Sequence, residues 1–211
     1  MAGGCCNHDP KFDGMSSGFK RALWVVIAIN GTMFIVEMAA GAMAGSQALK
    51  ADALDFLGDT LTYGLSLLVI GMSLKVRATA ALIKGLSLAA MGIWVFATTA
   101  YQTLVLGVPS APLMGSVGLL ALGANLASVL VLMRYKDGDA NVRSVWLCSR
   151  NDAIGNVAVM MAAGGVYLTG SAWPDLIVAG LLAALFLWSS VQTLKQAIDE
   201  RRYAVETVAA E

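Results

Sequence analysis

Charged side chains are scarce in this chain: Asp, Glu, Lys and Arg make up 13% of its residues, whereas 58% are hydrophobic. A soluble globular domain has about 25% charged and 45–50% apolar residues. An ordinary soluble protein is therefore excluded, and we expect lipid to cover the surface. The 14 Lys and Arg residues form no basic patch of the kind that binds nucleic acid.

Histidine and cysteine are also rare. His8 is the only histidine, and the three cysteines are Cys5, Cys6 and Cys148. Their spacing indicates no framework of structural disulfides. The chain has no His-Glu-x-x-His run, which is the pattern of many zinc hydrolases, so we do not expect an enzyme.

Six apolar segments are long enough to cross a membrane, whose hydrocarbon core of ~30 Å needs about 20 helical residues. The sequence therefore predicts an all-α integral membrane protein with six transmembrane helices and no soluble domain. We expect a tail at 1–21, a transmembrane domain at 22–194 and a short tail at 195–211. The predicted helices cover residues 22–45, 51–74, 79–105, 113–134, 143–168 and 173–194.

The basic residues outside the apolar segments lie mainly in the two tails and in every second connection between predicted helices. In the three remaining connections, the one basic residue is Lys50, between the first and second predicted helices. By the positive-inside rule, this predicts that both termini are cytoplasmic, in a multi-pass protein of the cell (inner or plasma) membrane. The residues on the predicted cytoplasmic side are Lys11, Lys20, Arg21, Lys75, Arg77, Arg134, Lys136, Arg143, Lys195, Arg201 and Arg202.

Five of the acidic residues inside the apolar segments are candidates for a site: Glu37, Asp52, Asp55, Asp59 and Asp152. A carboxylate at the bilayer centre costs about 2.5–3.5 kcal/mol even on the lenient insertion scale, so such residues usually mark an ion pathway. Glu37 and Asp52 also allow a simpler interpretation, in which they lie near helix ends in the headgroup region.

The spacing of the acids places them on two helix faces. Asp52, Asp55 and Asp59 share one stripe, because residues three and four apart are neighbours on a helix. Cys148 and Asp152 are one turn apart on the fifth predicted helix, although Cys148 alone would be read as a small buried hydrophobe. Two ligands from each helix would give four, the number a tetrahedral divalent cation accepts. Carboxylates also carry protons, which an arriving cation must displace.

Two segments resemble the cation diffusion facilitator family of metal transporters. Residues 46–59 (SQALKADALDFLGD) resemble the second helix of that family and residues 146–156 (WLCSRNDAIGN) its fifth, each with a pair of ligands four apart. Asn30 and Glu37 form an Asn-x6-Glu pattern that is also seen there. The resemblance implies a homodimeric divalent metal cation/proton antiporter that exports Zn²⁺ or a similar ion through Asp55, Asp59, Cys148 and Asp152.

The chain differs from the family where Asp55 and Cys148 occupy positions that often hold histidine. Sulfur favours softer cations, so we expect Zn²⁺ or Cd²⁺ as transported substrate rather than Mn²⁺ or Mg²⁺. The chain also ends soon after the sixth helix, so we expect a dimer held by membrane helices. No organic cofactor is expected.

Four further residues are expected to support the metal ligands or to line the ion pathway: Asp52, Asn151, Glu37 and Asn30. Asn151 would orient Asp152 by a hydrogen bond. Cys5, Cys6 and His8 suit a tail that captures metal, and an accidental flexible terminus is the alternative. A different class also stays open for the whole protein: a non-transporting membrane sensor or assembly protein whose acidic site binds a structural ion.

Overall fold

A computed structural model describes residues 17–69, 72–105, 107–133 and 140–209, without the side chains of residues 66, 74, 140–151 and 203–209. Within these ranges the chain forms six α-helices and no strand, which confirms the predicted all-α class. The helices are α1 (Ser17–Ala44), α2 (Gln47–Leu68), α3 (Leu74–Val105), α4 (Ala111–Met133), α5 (Ala140–Thr169) and α6 (Trp173–Ala209).

The helices extend beyond several of the predicted bounds. α1 begins at Ser17 instead of residue 22, and α6 continues through Lys195 to Ala209. The sequence estimate followed apolar residues alone, whereas backbone hydrogen bonding continues a helix through polar residues as well. Residues 195–209 are therefore helical and continuous with α6.

Among the residues that the structure describes, five stretches are long and apolar enough to cross a membrane: Ser17–Ala44, Lys75–Val105, Ala111–Met133, Asp152–Thr169 and Trp173–Arg202. α2 is not among them, because it carries Asp52, Asp55 and Asp59. It packs against α1, α3, α5 and α6, and nearly all side chains of residues 46–54 are buried. The helix that carries these three aspartates is thus surrounded by other helices of the bundle.

The outward faces of the other helices expose large apolar side chains, as expected where lipid replaces water. Examples are Ile35 on α1, Leu104 on α3, Leu130 on α4 and Leu168 on α5. The interior is built from small residues together with a few larger ones. One cluster joins Ala40, Leu49, Met114 and Val159 from four different helices.

Small residues allow the backbones of α5 and α6 to approach closely. Ala162 and Ala179 are buried, and a Cβ on Gly165 would lie 2.8 Å from Cβ of Pro174. α3 and α6 share the most extensive contact in the bundle. There, a Cβ on Gly85 would lie 2.8 Å from Leu194.

The turn between α1 and α2 aligns the acidic residues. Gly45 has φ of +71°, a left-handed conformation that glycine adopts without strain, and Ser46 caps the start of α2. Asn30 then lies against Asp59, and Gly41 lies against Lys50. The two helices therefore run antiparallel and bring polar residues of α1 opposite those of α2.

Candidate metal centre

Three aspartates from two helices meet inside the bundle. The carboxyl group of Asp152 on α5 interacts with those of both Asp55 and Asp59 on α2. The helical stripe explains the two α2 positions, because Asp55 and Asp59 are one turn apart. All three residues are half-buried, so the cluster is partly accessible from outside the protein.

The three carboxyl groups do not by themselves form a closed metal cage. Among the described side chains, no group of three or more His, Cys, Asp and Glu residues is arranged to hold a metal ion. The pairwise contacts of Asp152 bring candidate ligands together without fixing them around one point. Ligation by this set requires a rearrangement or a further ligand.

Two donors orient Asp59. The hydroxyl of Tyr63 donates a 2.8 Å hydrogen bond to Oδ2 of Asp59, and Nδ2 of Asn30 donates a 3.4 Å bond to the same oxygen. Both donor residues are buried. Asn30 is one of the predicted pathway residues, whereas sequence reasoning missed Tyr63. Its position one helical turn after Asp59 was the available signal.

A second pair of acidic residues lies apart from this cluster. Glu37 on α1 and Asp52 on α2 interact through their carboxyl groups, and their exposed fractions are 0% and 2%. They are enclosed by the bundle, and their depth in a membrane stays a prediction. A Cβ on Gly155 would lie 3.9 Å from Oδ1 of Asp52, which puts α5 beside the pair.

A third buried carboxylate was not found from the sequence. Asp175, in the first turn of α6, accepts hydrogen bonds from the Ser46 hydroxyl at 2.6 Å and from the N–H groups of Gln47 and Ala48 at 2.8 and 3.1 Å. The first N–H groups of a helix have no partner within it, and an anion there is favourable. Asp175 thus ties α6 to the start of α2.

Several predicted site residues cannot be placed. The side chains of Cys148 and Asn151 lie outside the described set, although both positions belong to α5. Cys5, Cys6 and His8 lie outside the described residues altogether. The proposed thiolate ligand, the hydrogen bond from Asn151 and the metal-capturing tail therefore stay predictions.

A helical bundle with membrane-length apolar helices and buried carboxyl groups along its interior defines a polytopic membrane protein. Residues 23–200 match the family described as the cation efflux transmembrane domain. The match covers most of the chain, and the protein belongs to the cation efflux family. The family resemblance of the two helix motifs is thereby confirmed.

Several curated proteins named as metal efflux or zinc transport proteins are similar to this chain. The chain is 28% identical over 199 residues to the metal cation efflux system protein CzcD of Cupriavidus metallidurans, covering 86% of this chain and 61% of that protein. It is 25% identical over 193 residues to the zinc transporter ZitB of Escherichia coli, covering 85% and 62%. It is 26% identical over 201 residues to the zinc transporter ZitB of Yersinia pestis, covering 87% and 63%. The chain thus spans about three fifths of the length of these relatives.

Proposed function

We propose that the protein is a divalent metal cation/proton antiporter that exports Zn²⁺, Cd²⁺ or both from the cytoplasm. The observation that carries this proposal is the contact of Asp152 with Asp55 and Asp59 across α2 and α5. Family membership supports a transport function, and relatives named as zinc transporters support the choice of metal.

The metal would be held by Asp55, Asp59, Cys148 and Asp152. Carboxylate and thiolate are ligands that Zn²⁺ accepts in tetrahedral sites. Cys148 is one turn before Asp152, so α5 can present both residues on one face. The described side chains hold no complete cage, which suits a site that completes itself on cation entry and releases the cation afterwards.

Proton coupling follows from the charge of the cluster. Three neighbouring carboxylates repel one another in an apolar surrounding, and either protons or a divalent cation can neutralise them. Metal binding would release protons, and reprotonation would release the metal. Alternate exposure of the site to the two sides of the membrane turns this exchange into antiport.

Topology and assembly are part of the same proposal. We assign the six-helix domain to residues 22–194, both termini to the cytoplasm, and the protein to the cell membrane. The homodimer would form through membrane helices, and Cys5, Cys6 and His8 would capture metal at the cytoplasmic entrance. Asn30, Glu37, Asp52 and Asn151 would line or support the pathway.

The experiment is uptake of Zn²⁺ and Cd²⁺ into proteoliposomes with an imposed pH gradient. The intact protein is compared with Asp59→Ala and with Asp199→Asn, a matched control on an exposed part of α6. We expect gradient-driven uptake that Asp59→Ala abolishes and Asp199→Asn retains. A protein that binds metal without moving it would instead be a sensor or assembly protein. If neither metal moves nor binds, the proposal is wrong.

A further inference from the structure

Glu37 and Asp52 are two almost completely buried acidic residues that face each other inside the bundle. Their exposed fractions are 0% and 2%, and their carboxyl groups interact. Both oxygens of Glu37 and Oδ2 of Asp52 have no hydrogen-bond donor among the described residues. Buried polar atoms are nearly always paired, so these orphaned oxygens indicate a ligand.

We propose that Glu37 and Asp52 form a proton-binding site in which Glu37 carries one proton and donates it to Asp52. A protonated carboxyl group is a hydrogen-bond donor, whereas two carboxylates can only accept. One proton therefore removes one negative charge and gives the pair its missing donor. Glu37 is the better carrier because both of its oxygens are orphaned.

The charged groups on the surrounding helices do not replace the proton as a partner of the pair. α2 contributes the acidic Asp55, which interacts with Glu37. The one basic residue of α2, Lys50, interacts with Asp175. α4 has no ionisable side chain within its described range, and the ionisable groups described on α5 are Asp152 and Tyr167. The basic residues of α3 are Lys75, Arg77 and Lys84, all in its first half.

A divalent cation fits the pair poorly. Zinc sites use three or four protein ligands, whereas no group of three or more His, Cys, Asp and Glu among the described residues is arranged to hold a metal ion. Asn156 on α5 has a buried side chain without a hydrogen-bond partner among the described residues, so no hydrogen bond joins it to the pair. The chemistry available is that of a single shared proton.

The pair lies one helical turn from the nearest proposed metal ligand, because Asp52 is three positions before Asp55 on α2. Asn30 lies against Asp59, and Glu37 follows seven positions later on α1, or ~10 Å along a helix that rises 1.5 Å per residue. Glu37 is still close enough to interact electrostatically with Asp55. Cation binding at the three aspartates would favour release of the proton from the pair. This coupling, unlike the proton site itself, rests on the proposed antiport function.

Infrared spectroscopy of the purified full chain in lipid nanodiscs tests the site without requiring transport. The C=O stretch of a protonated carboxyl group is compared for the unsubstituted protein, Glu37→Gln, Asp52→Asn and Asp199→Asn. Gln and Asn keep the shape and offer an N–H donor, so folding should persist. We expect Glu37→Gln to remove this single-proton band, Asp52→Asn to shift its frequency because the acceptor of the Glu37 proton changes, and Asp199→Asn to leave it unchanged.

Isotope labelling keeps the test decisive if a variant does not fold. Glu37 is the only glutamate before position 200 of the sequence, and the other three are Glu200, Glu206 and Glu211. Carbon-13 labelling of glutamate should shift the band in the unsubstituted protein. The proposal is wrong if the band neither shifts on glutamate labelling nor changes in Glu37→Gln and Asp52→Asn. It is also wrong if the protein binds a second Zn²⁺ that Glu37→Gln removes. Failure of metal uptake would contradict the transport proposal and leave the infrared result standing.

Discussion

The hydroxyl of Ser46 donates a 2.6 Å hydrogen bond to Oδ1 of Asp175, although 129 positions separate the two residues in the chain. The same Ser46 oxygen accepts a 3.0 Å bond from the N–H of Leu49. Together with the Asp175 bonds to Gln47 and Ala48, this closes the N-terminus of α2 with groups from α6. The helix that carries Asp55 and Asp59 is thus fixed at one end.

Removal of this cap should destabilise the bundle. Asp175→Ala leaves the buried N–H groups of Gln47 and Ala48 without their acceptor, and we expect a loss of about 2 kcal/mol in the free energy of unfolding. Thermal unfolding of the detergent-purified protein measures the change, with Asp199→Ala as the exposed control. Equal midpoints for the two variants would show that the cap contributes no stability.

Tyr63 should support metal binding through Asp59. Tyr63→Phe removes the 2.8 Å hydrogen bond to Oδ2 of Asp59 and keeps the aromatic ring. Loss of a partner that orients a metal ligand lowers metal affinity about 10–100-fold, and we expect the lower end because Asn30 still donates to the same oxygen. Competition titration with a fluorescent Zn²⁺ indicator gives the affinity. Tyr101→Phe, at a side chain that is 66% exposed, is the control, and equal affinities of the two variants would contradict the prediction.

Two adjacent glycines on α5 should respond differently to a methyl group. A Cβ on Gly165 would lie 2.8 Å from Cβ of Pro174, whose ring cannot move aside, whereas a Cβ on Gly164 would meet nothing within 4 Å. Gly165→Ala should destabilise the protein by about 1–3 kcal/mol through overpacking. Gly164→Ala should be neutral or stabilising. Unfolding midpoints of the two variants decide the matter, and a tolerated Gly165→Ala would show that α6 shifts freely.

Cys148 should determine the preference between metals. Sulfur binds soft cations more strongly than oxygen does, so Cys148→Ser should lower Cd²⁺ transport more than Zn²⁺ transport. The ratio of initial uptake rates in proteoliposomes measures the shift. X-ray absorption of the Zn²⁺-loaded intact protein should show one sulfur at ~2.3 Å among the ligands. An unchanged rate ratio with no sulfur in the spectrum would remove Cys148 from the site.

Local periodicity was enough to predict much of this architecture. The apolar segments predicted six helices, and the spacing of Asp55, Asp59 and Asp152 predicted two acidic faces that the structure brings into contact. These features depend on helical geometry, which the order of residues determines directly. The helix bounds were less accurate, because α6 continues through polar residues that no apolar pattern marks.

Features that depend on contacts distant in sequence could not be found in the same way. Asp175 caps α2 only because α6 begins beside it, and no local pattern in residues 173–175 indicates that partner. Glu37 and Asp52 were singled out as acids in apolar segments, yet their pairing depends on how α1 and α2 align after Gly45. Burial and pairing of this kind follow from helix packing, which a single sequence does not determine.

Transport by this protein is proposed to depend on Asp152, which completes the site with Asp55 and Asp59. The most direct test records Zn²⁺ entry and internal pH together in proteoliposomes that contain either Asp152→Asn or the control Asp199→Asn. We expect the control to exchange Zn²⁺ for protons. We expect Asp152→Asn to lose both the Zn²⁺ flux and the proton flux while its helix content stays unchanged. Zn²⁺-dependent proton flux at the control's rate in Asp152→Asn would show that Asp152 is not part of the transport site.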